Sequence, residues 1–109
     1  MQTVSINIEE MRSGAAEACR LMKVLANPDR LMLLCQIAEG EKCVSELEVL
    51  LSIMQPTLSQ QLGVLREESL VSTRREGKNI YYSIGSLQAL AVMAVLHAQF
   101  CTPSKGKRK

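Results

Sequence analysis

The sequence predicts a mainly α-helical single domain with one β-hairpin, its elements in the order α-α-α-α-β-β-α. Three observations predict it. Through residues 9–65, apolar residues recur at the intervals of three and four that line one face of a helix. After Ser69 the period falls to two: Val71, Thr73 and Arg75 alternate with Ser72 and Arg74, and Ile80, Tyr82 and Ile84 alternate with Tyr81 and Ser83. Between these runs lies the Gly-containing turn Glu76-Gly77-Lys78-Asn79, so the pair reads as a hairpin. A last stretch, residues 86–100, is apolar on nearly every side.

Residues 1–8 are a weakly patterned arm. A first helix is expected over residues 9–25, with Ala15, Ala18, Met22 and Leu25 on its inner face. Asn27-Pro28 restarts the chain, because Asn caps a helix and Pro fits its first turn. The second helix is expected to run to residue 38, with Leu31, Leu34, Cys35 and Ala38 inward, and to end at Gly40. Cys43 stands where a capping residue would, with Glu46 three positions on. The short third helix that follows has Val44, Leu47, Leu50 and Leu51 as its apolar face. Ser52-Ile53-Met54 is a tight break. Gln55-Pro56 opens a fourth helix, with Pro56 in the first turn and Leu58, Leu62 and Leu65 as the buried stripe. The last helix has no wet face, and such a helix is buried on two sides. In a domain this small, the second side is expected to meet another subunit, with the first helix beside it.

Composition narrows the class. The 109 residues suit one small domain, and 47% apolar residues indicate a globular chain. Aromatics make up only 3%, so the core must be built from Leu, Val, Ile, Met and Ala. The net charge is +2, yet Lys105, Lys107, Arg108 and Lys109 crowd the C-terminal end, leaving the body slightly acidic. A nucleic-acid contact would therefore come from a local basic patch, with or without this tail. No signal sequence opens the chain and no apolar run approaches the ~20 residues of a membrane span. A cytoplasmic protein with reduced thiols is expected.

A short helix, a tight turn, a helix and a basic hairpin make a winged helix-turn-helix, and the chemistry suits duplex DNA. A helix entering the major groove needs an apolar back and a polar front. Leu58, Leu62 and Leu65 are the back, and Gln55, Thr57, Ser59, Gln60 and Gln61 supply the front. Gln bonds adenine in bidentate fashion, and Ser and Thr bond bases or phosphates. Arg66 lies late in the same helix, and Arg74, Arg75 and Lys78 stand on the hairpin within reach of the DNA backbone. The plainer readings are a polar surface helix and a solvated loop. Twofold pairing would set two reading helices about one DNA turn apart on a partly palindromic operator.

These residues resemble the ArsR family of bacterial winged-helix repressors across residues 9–101. The resemblance is carried by Leu25-Ala26-Asn27-Pro28-Asp29-Arg30-Leu31, Val44-Ser45-Glu46-Leu47, Ser59-Gln60-Gln61-Leu62-Gly63-Val64-Leu65-Arg66, and the hairpin from Thr73 to the pair Tyr81-Tyr82. It implies a homodimeric repressor that leaves operator DNA when an inducer binds or modifies it. Residues 1–8 are then an arm and residues 102–109 a basic tail. Metal sensors of the family carry Cys-Val-Cys on the third helix, where this chain reads Cys43-Val44-Ser45. Others carry acidic and His ligands on the last helix, where this chain has only His97. No resident metal or cofactor is expected.

The sulfur-sensing branch is the better match, with one Cys on the second helix and one ending the last: Cys35 and Cys101. The resemblance implies a dithiol that reacts with persulfides or polysulfides, forms a disulfide or longer sulfur bridge, and frees genes for sulfide detoxification. From position alone, Cys35 reads as a small buried hydrophobe. Cys19 reads as core or interface filler, and Cys43 as a reactive thiol, a third participant or a poor cap. Two alternatives stand beside this reading: a thiolate-metal or metalloid-responsive repressor centred on Cys43, and an activator that displaces a nucleoid protein. An enzyme is not expected, since no base stands near a nucleophile and no phosphate loop is present.

Overall fold

The structure, a computed structural model, describes residue 3 and residues 5–101. The expected basic tail, 102–109, and residues 1, 2 and 4 of the expected arm lie outside the described residues. The elements are α1 (Ile8–Leu25), α2 (Pro28–Glu39), β1 (Lys42–Cys43), α3 (Val44–Leu51), α4 (Thr57–Glu67), β2 (Val71–Glu76), β3 (Asn79–Ile84) and α5 (Leu87–Phe100). The helix starts follow from capping chemistry. The side chains of Asn7, Asn27 and Ser86 accept the N–H groups of Glu10 (3.1 Å), Arg30 (3.1 Å) and Ala89 (3.0 Å). Each cap satisfies a donor that the first turn leaves unpaired, worth ~1 kcal/mol. The Glu46 carboxylate accepts the Cys43 N–H at 2.9 Å, the reciprocal arm of a capping box.

The hairpin is part of a three-stranded antiparallel sheet in the order β1-β3-β2. β1 was not expected, because two residues are too few to show a period. It pairs Lys42 with Tyr82 and Cys43 with Tyr81. In the hairpin, Val71, Thr73 and Arg75 oppose Ile84, Tyr82 and Ile80 on one face, while Arg74 opposes Tyr81 on the other. Gly77 turns the chain with φ +64, the Gly-first pattern of a two-residue hairpin loop. Gly85, which leads into α5, runs against β2: a Cβ there would lie 3.1 Å from the Val71 carbonyl carbon and 3.2 Å from the Ser72 nitrogen.

The core holds Leu33, Leu34, Ile37, Leu47, Leu58, Leu62 and Leu65, all essentially inaccessible. α2 is its centre and touches α1, α3, α4, α5 and β3. Its buried residues are Leu33, Leu34 and Ile37; Leu31 and Cys35 are only half-buried and Ala38 is exposed. The single-face expectation failed because a helix packed on several sides is apolar on several sides. On α1 the inner residues are Val24 and Leu25, while the expected Met22 is 57% exposed. On α3, Leu47 is buried and Leu50 is largely exposed. Pro56 sits at the cap of α4 rather than in its first turn. On α5 only Ala89 and Met93 are buried, and Leu87, Val95 and Phe100 stand in the open.

Candidate nucleic-acid interface and thiol pair

α4 is anchored by Leu58, Leu62 and Leu65, all buried. Gln60 lies about 200° round the helix from Leu58, directly outward, and is exposed. Ser59 and Gln55 are also exposed. Gln55 precedes the helix, and its Oε1 accepts the Ser59 N–H (3.1 Å) and the Ser59 hydroxyl (2.7 Å). Gln55 thus caps the helix from outside its first turn. Thr57 is half-buried. Gln61 is half-buried and turned back toward the protein, where its Oε1 accepts from Arg30 at 2.9 Å. Arg66 is exposed, seven residues after Ser59 and on its side of the helix.

The hairpin separates its basic residues by face. Arg75 and Lys78 are exposed and form no ion pair among the described residues. Arg74 is engaged elsewhere. Its Nε and Nη2 donate to the Glu41 carboxylate at 2.7 and 2.9 Å, Nη1 donates to Glu76 at 2.6 Å, and its guanidinium stacks 4.8 Å from the Tyr81 ring centroid. Its hydrogen bonds, and after them its positive charge, hold the Glu41 carboxyl below the usual range. An arginine with two carboxylates in place has little charge left for a phosphate. Lys78 and Gln55 line one cleft of about 400 Å³ with Ser45 and Glu48, so the hairpin tip and the approach to α4 share a surface.

All four cysteines are free. Cys19 is exposed on α1, which removes it from the core. Cys43 is buried, its Sγ 3.3 Å from the Ser45 hydroxyl oxygen. Cys35 is half-buried on α2, and Cys101 is exposed where α5 ends. Burial pushes the Cys35 thiol up, and the negative charges of Cys101 and Glu39 push it further. A raised thiol carries little thiolate at neutral pH. The pH of half-maximal Cys35 alkylation is therefore expected to be higher in the folded chain than in the unfolded one. It should fall in Cys101→Ser, which removes a negative neighbour. Peptide-resolved alkylation across pH checks this, and a midpoint unmoved by the substitution would contradict the neighbour's part.

Among the described residues, no group of three or more His, Cys, Asp or Glu is placed to hold a metal ion, and no helix is long and apolar enough to cross a membrane. Sequence reasoning missed the parts played by Arg30 and Glu41. Arg30 was visible only as part of the Asn27-Pro28-Asp29-Arg30 element, and nothing in the sequence marked Glu41.

A docked helix with a polar outer face beside a basic β-hairpin defines a winged helix-turn-helix regulator, a class that acts on DNA. Residues 27–73 match the family described as "Bacterial regulatory protein, arsR family". The chain belongs to that family. It is 50% identical over 92% of its length, and 86% of the relative's, to the biofilm growth-associated repressor of Agrobacterium fabrum. The crystal structure of the transcriptional repressor BigR from Xylella fastidiosa superposes with a TM-score of 0.84 at 46% identity, covering 90% of this chain and all of that one. The transcriptional activator HlyU of Vibrio cholerae is 38% identical over 88% of this chain and 89% of its own. Its reduced form superposes with a TM-score of 0.82 over 86% of this chain and 99% of that one.

Proposed function

We propose that this protein is a cytoplasmic, homodimeric transcriptional repressor whose Cys35–Cys101 dithiol senses persulfide or polysulfide and releases operator DNA when bridged, freeing genes for sulfide detoxification. The observation that carries the proposal is the thiol pair itself. One sulfur, half-buried, is on α2, the helix that packs against most of the others. The other is at the exposed end of α5, near enough to raise the titration of the first. Repression is supported by likeness to a named repressor over most of both chains. The DNA contacts are Gln60 and Ser59 outward on α4, with Gln55 and Thr57 at its start, Arg66 along its side, and Arg75 and Lys78 on the hairpin.

The chemistry balances with a polysulfide as oxidant. The exposed Cys101 thiolate attacks a sulfane sulfur, breaks its S–S bond and expels the remainder as a thiolate, leaving a Cys101 persulfide. Cys35, having lost its proton to water, attacks the Cys101 sulfur and expels hydrosulfide, leaving a disulfide. A further polysulfide supplies the atoms and takes the electrons for a longer bridge. Either bridge ties α2 to the end of α5, and α2 packs on α4. Losing the alignment of two reading helices costs the simultaneous engagement of two half-sites.

The test is operator affinity before and after polysulfide. The treated protein is expected to bind about 5–150-fold more weakly and to recover with a dithiol reductant; equal affinities would sink the switch. An activator, the reading that likeness to HlyU favours, predicts reporter output that falls on deletion of the gene, where repression predicts a rise.

The contacts have their own signatures. Gln60→Ala is expected to cost ~1–3 kcal/mol on operator and little on random DNA. Arg75→Ala should lower the slope of log affinity against log salt by about 1, and Arg74→Ala should lower it less because its charge is already paired. Titrations at several salt concentrations check both, and equal slopes for the two variants would contradict the assignment.

A further inference from the structure

One side chain joins three helices beneath the reader. Arg30 rides on the first turn of α2. Its Nε donates to the Val24 carbonyl (2.8 Å), its Nη2 to the Lys23 carbonyl (3.3 Å), and its Nη1 to the Gln61 Oε1 on α4 (2.9 Å). Lys23 and Val24 lie in the last turn of α1, where the Lys23 carbonyl also accepts the Ala26 N–H at 3.3 Å and the helix dipole favours a cation. Arg30 and Gln61 are both half-buried, which strengthens a charge-assisted hydrogen bond. The rigid guanidinium fork has donors for all three acceptors at fixed angles, which a lysine ammonium cannot match.

We infer that Arg30 and Gln61 are positioning residues of the DNA reader: the Arg30 fork fixes α4 against the ends of α1 and α2, and Gln61 is spent on that contact rather than on a base. The inference rests on α4 being the reading helix and is independent of the thiol switch. It also divides labour between neighbours, since Gln60 points outward and Gln61 points back. α1 is exposed along Ile8, Met11 and Met22, the helix offered to a second subunit. The same fork therefore ties the reader to the dimer frame.

The decisive variant is Gln61→Glu. A carboxylate accepts from Arg30 at least as well as an amide, but it offers DNA a negative charge and no donor. The probe is a duplex selected from a random library by the reduced wild-type protein. Reduced Gln61→Glu is expected to bind it within about threefold of wild type. Arg30→Ala is expected to bind about tenfold more weakly with an unchanged salt slope, because no phosphate contact is lost. Gln61→Glu added to Arg30→Ala should weaken binding further although it is nearly silent alone. Circular dichroism melts monitor folding; if Arg30→Ala does not fold, Gln61→Glu alone decides. A large loss of affinity with relaxed sequence preference in Gln61→Glu would overturn the inference and make Gln61 a base reader. Full affinity in a folded Arg30→Ala would overturn it too. A reduced wild-type protein that selects no duplex would overturn both this inference and the DNA-binding reading beneath it.

Discussion

Cys101→Ser is expected to bind operator as the reduced wild-type protein does and to stay bound when polysulfide is added. Cys101 is exposed at the end of α5, outside the core, so removing its sulfur leaves the packing of α4 intact. A hydroxyl keeps the size and polarity of the site but forms no S–S bond. The expected result is collapse of the whole ~5–150-fold response to none, with resting affinity within about twofold. Cys35→Ser should abolish the response equally, but with some loss of stability, because Cys35 packs against the core. Equal loss from two thiols on different helices is what a bridge requires. A Cys101→Ser protein that still releases DNA on polysulfide would move the sensor elsewhere, first to Cys43.

Val95→Glu is expected to produce a folded monomer whose operator affinity is lower by about a hundredfold or more. In the single chain, Leu87 and Phe100 are each 81% exposed and Val95 59% exposed, on a helix with hardly a polar residue. Large apolar side chains open to water along one helix mark an interface. α1 adds Ile8, Met11 and Met22, and with the first turn of α5 it walls a groove of about 900 Å³. A carboxylate at Val95 costs little where the side chain already meets water. Buried between two subunits, it costs several kcal/mol with no partner to pair it. Sedimentation and half-site titration separate the steps: the variant should bind a half-site as wild type does and fail to gain from a second. An intact Val95→Glu dimer would place the interface elsewhere.

What the sequence made legible follows from range. Caps are local, so Asn27 placed the start of α2 within a residue. The inner face of α4 was legible because its Leu residues stand against Gln and Ser; the face of α2 was not, because that helix is packed on several sides. β1 was too short to show a period. The protein partners of Gln61 and Arg74 were not legible for one reason. Their partners, Arg30 and Glu41, are 31 and 33 residues away, and only the fold brings them together. Likewise, spacing alone says nothing of Cys35 and Cys101; family resemblance singled them out, and the upward push of Cys101 on the Cys35 thiol became visible only in three dimensions.

The most direct measurement is peptide-resolved mass spectrometry of the reduced protein after separate exposure to polysulfide and to peroxide, read beside operator binding of the same samples. A Cys35–Cys101 linked peptide pair is expected after polysulfide, appearing in step with DNA release and disappearing with reductant. DNA release with no Cys35–Cys101 linkage, or a full linkage that leaves the operator bound, would contradict the switch.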